Sequence, residues 1–167
     1  MGHEEIIKLK EKSFEDERGR FIKFFDEVLL SEHSFSMCQQ NYVQTKSKYV
    51  LRGLHYQVNE AAEAKIFRVI EGSIQLCAVD IRPESTTYLK TTLAILKPLR
   101  DAYLIPRGFA TGYLTLEPNT TVLYMSDNHY APNQEKGIRP NDPRLAIAWQ
   151  SEHYSLSEKD KNWPYLK

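Results

Sequence analysis

Residues 65–82 read KIFRVIEGSIQLCAVDIR, two strand-like arms around a turn at Glu71-Gly72-Ser73. In the second arm Ile74, Leu76, Ala78 and Asp80 alternate with Gln75, Cys77, Val79 and Ile81. Successive side chains of a strand point to opposite faces, so a half-wet strand is apolar only at every second position. Here both series are mainly apolar, and the strand needs cover on each side, as in a β-sandwich. The rest of the chain agrees. DAYLIP (101–106) and TGYLTL (111–116) flank Pro106-Arg107-Gly108-Phe109, where Pro and Gly fix a turn. TTVLYMSDN (120–128) is another strand, and APNQEKG (131–137) and RPNDPR (139–144) carry further turn signals. Helical patterning is confined to DEVLLSEHSF (26–35) and to LSEKDKNW (156–163), where Ser157 is a fair N-cap. Many short strands and few helices predict an all-β fold, a jelly-roll β-sandwich with a few short helices.

The 167 residues suit one domain over 1–167. A chain of this size buries ~70% of its unfolded surface and needs no disulfide or metal to fold. Lys plus Arg and Asp plus Glu number 22 each, and no basic tract stands out, which argues against a nucleic-acid partner. The two cysteines, Cys38 and Cys77, lack metal-type spacing and suit a reducing compartment. The start, MGHEEIIKLKEKSF, has no apolar stretch of the signal-peptide kind, and no apolar run approaches the ~20 residues of a membrane helix. The expected location is the cytoplasm, with no membrane partner.

His55, in YVLRGLHYQ (49–57), allows three readings. A lone histidine in an apolar strand is most often a satisfied structural residue. A metal ligand would suit a jelly roll, but HYQ stands where metal-binding cupins carry His-x-His, and Thr111 of PRGFAT stands where a further His is due. Thr is a poor transition-metal ligand, so no metal site is expected. A proton carrier would suit an imidazole, which titrates near ~6.5. It would need an orienting carboxylate and an acid or electrophile, with candidates at Asp80, Asp160, Lys65, Tyr124 and Tyr130. Spacing does not choose among them.

Taken in order, FEDERGRF (14–21), QQN (39–41), VLRGLHYQ (50–57), AKIFRVIEGSI (64–74), VDIRPESTTY (79–88), IPRGFATGY (105–113), LYMSDNHYAPNQE (123–135), NDPRLAIAW (141–149) and LSEKD (156–160) form a series. It resembles the dTDP-4-dehydrorhamnose 3,5-epimerase family, a cofactor-free branch of the cupin jelly rolls. The resemblance implies epimerisation of a nucleotide-linked 4-keto-6-deoxy sugar at C3, C5 or both, with no cofactor. It implies His55 as base, Asp160 as its orienting carboxylate, Tyr124 as acid on the opposite face and Lys65 beside the keto oxygen. It also implies substrate contacts from Arg18, Gln39, Asn41, Arg52, Glu135 and Lys159, with Tyr130 beside them. Family members pair as homodimers through an exchanged N-terminal region, so DERGRFIKFF (16–25) is expected to carry Arg18 into the neighbour's pocket.

Two positions depart from the family pattern. GFATGY replaces GFAHGF, which puts Thr111 in the place of a His, and Lys23 stands where a Glu is usual. Lys donates where Glu accepts, which admits cytosine or guanine in place of thymine. The alternatives to an epimerase are a non-catalytic sugar-nucleotide binding module and a metal-dependent cupin. Strict alternation would also send Arg52 and His55 to opposite faces, because their spacing is odd. The resemblance implies that both face the pocket, so a bulge or twist at Gly53 is expected.

Overall fold

The computed structural model describes residues 6–10, 12–24, 26–98, 100 and 102–166. One antiparallel sheet runs in the order β1 (Ile7–Leu9), β9 (Ala102–Ile105), β6 (Lys65–Glu71), β11 (Thr120–Ser126) and β4 (Gln39–Thr45). The other runs β12 (Glu135–Gly137), β5 (Leu51–Gln57), β10 (Phe109–Thr115), β7 (Ile74–Asp80) and β8 (Thr91–Leu96). The hairpin β2 (Ser13–Asp16) and β3 (Gly19–Ile22) stands apart as a two-stranded sheet. This is the cupin-like β-sandwich the strand pattern predicts.

The sheets face each other across one apolar layer. Phe67, Val69, Ile105 and Val122 of the first sheet meet Ile74, Leu76, Ala78, Leu96 and Phe109 of the second. On β7 every residue is buried, as its two apolar series require. Ile74, Leu76 and Ala78 enter the layer between the sheets, while Cys77 and Val79 join Leu54, Ala110, Ile138 and Leu145 on the outer side. The segment 138–149 thus supplies the second cover. On the other outer face, Leu30 of α1 (Glu27–Glu32) packs with Leu9, Ile66, Leu104 and Met125.

The turns lie where the sequence places them, but two of them join different sheets. The chain leaves β6 at Gly72 (φ +74) and enters β7 across the sandwich. It leaves β9 through Pro106–Gly108 (φ +83 at Gly108) and enters β10 in the opposite sheet, with Phe109 already in the strand. Asp26 caps α1 through Val28 N–H, and Ser157 caps α2 (Glu158–Lys161) by accepting from Asp160 N–H. Among the described residues no helix is long and apolar enough to cross a membrane.

Candidate active site

The site begins with an irregularity in β5. His55 pairs with Thr111 and Arg52 pairs with Tyr113, so three steps along β5 match two along β10. That extra residue is a bulge, and Gly53 accommodates it at φ +119, where L side chains are strained. Any Cβ at Gly53 would lie 2.6 Å from Gly112 Cα and from Thr111 O. The Gly53–Leu54 peptide is cis. The bulge turns Arg52 and His55 to the same side, and both border a cavity of about 420 Å³ between the sheets. The odd spacing is thereby reconciled as the sequence requires.

His55 is held from the C-terminal segment. Leu51 N–H donates to Ser155 O at 2.9 Å and Ser155 N–H to Tyr49 O at 2.8 Å, which seats the start of α2 beside β5. Asp160 is then 3% exposed, with Oδ1 2.6 Å from His55 Nε2. The Trp163 indole N–H donates to the same oxygen at 3.2 Å, and Gly53 N–H reaches Oδ2 at 3.5 Å. Burial alone would raise the Asp160 carboxyl. The hydrogen bond and charge of His55, helped by Ser157 and Gly53, hold it below the usual carboxylate range. Asp80, the other candidate carboxylate, is committed elsewhere, to Arg82, Ser85 and Thr87.

The facing wall comes from the first sheet. Lys65 and Tyr124 both border the cavity. Lys65 Nζ is 2.9 Å from Glu63 Oε1, and both side chains are nearly enclosed. Tyr124 stacks on Phe67, centroids 5.5 Å apart, and burial with the nearby Glu63 charge raises its phenol. Arg52 and Thr111 lie on the β5–β10 wall. Arg52 Nη2 is 3.4 Å from Thr45 Oγ1, and Thr111 Oγ1 donates to His55 O at 3.4 Å.

A smaller recess continues past His55, Lys65 and Tyr124 to Gln39, Tyr130 and Glu135. Glu135 Oε2 accepts from Tyr130 Oη and from Lys159 Nζ, both at 2.5 Å. Burial would raise the Glu135 carboxyl, but these two donors hold it below its ordinary value. Asn41 accepts from Gln39 Nε2 at 3.0 Å. Thus the fold brings together His55, Lys65, Tyr124, Asp160, Arg52, Thr111, Lys159, Gln39, Tyr130 and Glu135 around one continuous opening.

Arg18 and Lys23 are elsewhere in this single chain. Arg18 is exposed at the tip of the β2–β3 hairpin and paired with Asp16 at 2.6 Å, while Lys23 lies 3.9 Å from Asp26. The sequence reading missed Glu63, Phe67, Tyr113 and Trp163. Trp163 was recoverable, since it falls three residues after Asp160, just beyond the end of α2. Glu63, Phe67 and Tyr113 carry no local signal, because only the pairing of distant strands brings them to the cavity. Among the described residues no three His, Cys, Asp or Glu side chains group as a metal site.

Residues 3–167 match a family model described as dTDP-4-dehydrorhamnose 3,5-epimerase. The chain is 37% identical over 163 residues to the Escherichia coli K12 dTDP-4-dehydrorhamnose 3,5-epimerase, covering 95% of this chain and 88% of that one. It is 36% identical over 166 residues to the Methanothermobacter thermautotrophicus enzyme of the same name, covering 96% and 89%. The crystal structure of the Bacillus anthracis enzyme with TDP and PPi bound superposes with a TM-score of 0.92 at 34% identity, over 96% of this chain and 94% of that one. The Legionella pneumophila dTDP-6-deoxy-D-glucose-3,5-epimerase in complex with dTDP-4-keto-L-rhamnose gives 0.87 at 34% identity, over 93% and 85%.

Proposed function

The chain belongs to the dTDP-4-dehydrorhamnose 3,5-epimerase family and is an isomerase, and from that premise we propose that it inverts C3, C5 or both of a dTDP-linked 4-keto-6-deoxy sugar. The observation that carries the reading is the division of the cavity between His55 on one sheet, backed by Asp160 of α2, and Lys65 with Tyr124 on the other. A C4 ketone acidifies the C–H bonds on either side of it. With Nε2 engaged by Asp160, Nδ1 of His55 takes the proton as the C–H bond breaks. The electrons move onto O4 as an enolate, beside the Lys65 ammonium. Tyr124 gives its hydroxyl proton to the same carbon from the opposite face, and the centre is inverted. Exchange with solvent removes the proton from His55 and restores that of Tyr124. Tyr124 holds its hydroxyl proton at neutral pH, as an acid must, and burial raises the phenol further. Asp160 holds the imidazole in one tautomer and stabilises the imidazolium.

Arg52 supplies a planar fork for the diphosphate. Arg18 and Lys23 enter the site only if a second copy brings them. In the β2–β3 hairpin Phe14 and Phe21 face each other across the strands, 58% and 61% exposed, with ring centroids 6.3 Å apart. A homodimer that covers this pair and lays Arg18 against the neighbour's cavity accounts for both observations.

The test is incubation in D₂O with dTDP-, CDP- and GDP-linked 4-keto-6-deoxy sugars. Deuterium at an inverted C3 or C5 of the dTDP-linked sugar is the expected result. Inversion of only the CDP- or GDP-linked sugar would mean that Lys23 has changed the base. Binding of all three without exchange would make the chain a binding module.

A further inference from the structure

Tyr113 lies on β10 two residues beyond Thr111 and opposite Arg52 in the register. Its ring packs edge-on to Phe67 with centroids 6.3 Å apart, and the residue is 4% exposed. It also borders the cavity. Its hydroxyl is buried and has no hydrogen-bond partner among the described residues. A buried polar atom without a partner is rare in native proteins, because desolvation is then uncompensated. Phenylalanine would fill the same space without that cost. The neighbours offer no partner: Thr111 Oγ1 is directed to His55 O and Arg52 Nη2 to Thr45 Oγ1. Burial pushes the Tyr113 phenol up to about 12, so it remains a donor throughout the neutral range.

We propose that Tyr113 is a substrate-binding residue whose hydroxyl donates to an oxygen of the sugar diphosphate lying against Arg52. The inference rests on the reading of the cavity as a sugar-nucleotide site. It also accounts for the sequence of β10. GFATGY differs from GFAHGF at 111 and 113, consecutive positions on the cavity side of the strand. At the first an imidazole gives way to a shorter hydroxyl, and at the second a hydroxyl is gained. The hydroxyl at 113 has no acceptor among the described residues, and the sugar diphosphate supplies one.

The test is Tyr113→Phe, which keeps the ring and its packing on Phe67. No protein partner is lost, so the unliganded variant should melt at or above the wild-type temperature. Binding, read by calorimetry with dTDP and with the dTDP-linked 4-keto-6-deoxy sugar, should weaken by roughly three- to tenfold, and KM should carry more of the change than kcat. A loss seen with both ligands places the acceptor on the diphosphate, and a loss with the sugar-linked ligand alone places it on the sugar. Unchanged affinity for both, or a lower melting temperature, would overturn the inference. Wild-type protein that binds neither ligand would overturn the functional reading itself, and this inference with it.

Discussion

Asp160 is almost fully enclosed yet stays ionised, because every donor around it favours the carboxylate. His55 and Trp163 share Oδ1, Gly53 N–H faces Oδ2, and Ser157 anchors the backbone N–H. Asp160→Asn removes the charge that stabilises the imidazolium and weakens control of its tautomer. Turnover should fall by about a hundredfold or more, with little change in substrate affinity, as steady-state kinetics would show. Lys65→Met tests the other wall. Without the ammonium the enolate forms at higher cost, and kcat should drop by roughly 10²–10³. A variant that retained wild-type kcat would remove Lys65 from the mechanism. These proposed roles were suggested in the sequence only through the series of motifs. Spacing alone left Asp80 and Asp160 equivalent, and the structure separates them because Asp80 is fully used by Arg82, Ser85 and Thr87.

At the scale of elements, the bulge in β5 is what makes the site. Gly53→Ala forces a Cβ into Gly112 and Thr111 and strains a positive φ. It should cost at least ~2 kcal/mol in urea unfolding and lower activity further by shifting His55 against Asp160. Ser157→Ala removes the cap of α2 and should cost ~1 kcal/mol, with a partial loss of turnover. Asp80 locks the end of β7 to the following loop. Burial would raise its carboxyl, but Arg82, Ser85 and Thr87 hold it far below the usual range. Its folded pKa is depressed, so its stabilisation is complete above the unfolded value near ~3.9 and is lost as pH falls through the folded value. Asp80→Asn should cost about 3 kcal/mol at neutral pH and flatten the acid limb of the stability curve. The bulge was legible because Arg52, Gly53 and His55 conflict with strict alternation. β4 was harder to single out, because three of the four residues on its inward face, Gln39, Asn41 and Thr45, are polar and Val43 alone is apolar.

At the scale of the whole molecule, the sandwich faces two walls across one cavity, which the proposed reaction uses from both sides. The sequence marked the turns but not the sheets they join. A Gly72 turn looks the same whether the chain folds back beside itself or crosses over, and only long-range pairing of β6 with β9 and β11 decides. Arg18 and Lys23 lie at the same limit, because one chain leaves them outside the cavity. If Arg18 acts in the neighbour's site, co-expressed Arg18→Ala and His55→Asn subunits will form hybrid dimers with one intact site each. About a quarter of wild-type activity should then return; none should return if Arg18 acts within its own chain, and about half should remain, from the Arg18→Ala subunits, if Arg18 has no role. The central claim is that each wall moves one proton. Its most direct measurement is deuterium wash-in and product configuration for His55→Asn and Tyr124→Phe, compared in D₂O on the dTDP-linked 4-keto-6-deoxy sugar. His55→Asn should lose both exchange and inversion by ~10²–10⁴. Tyr124→Phe should still admit deuterium, since His55 removes the proton and returns an exchanged one to the same face, while the inverted product largely disappears. Inversion by Tyr124→Phe at the wild-type rate, or exchange by His55→Asn at the wild-type rate, would contradict the account.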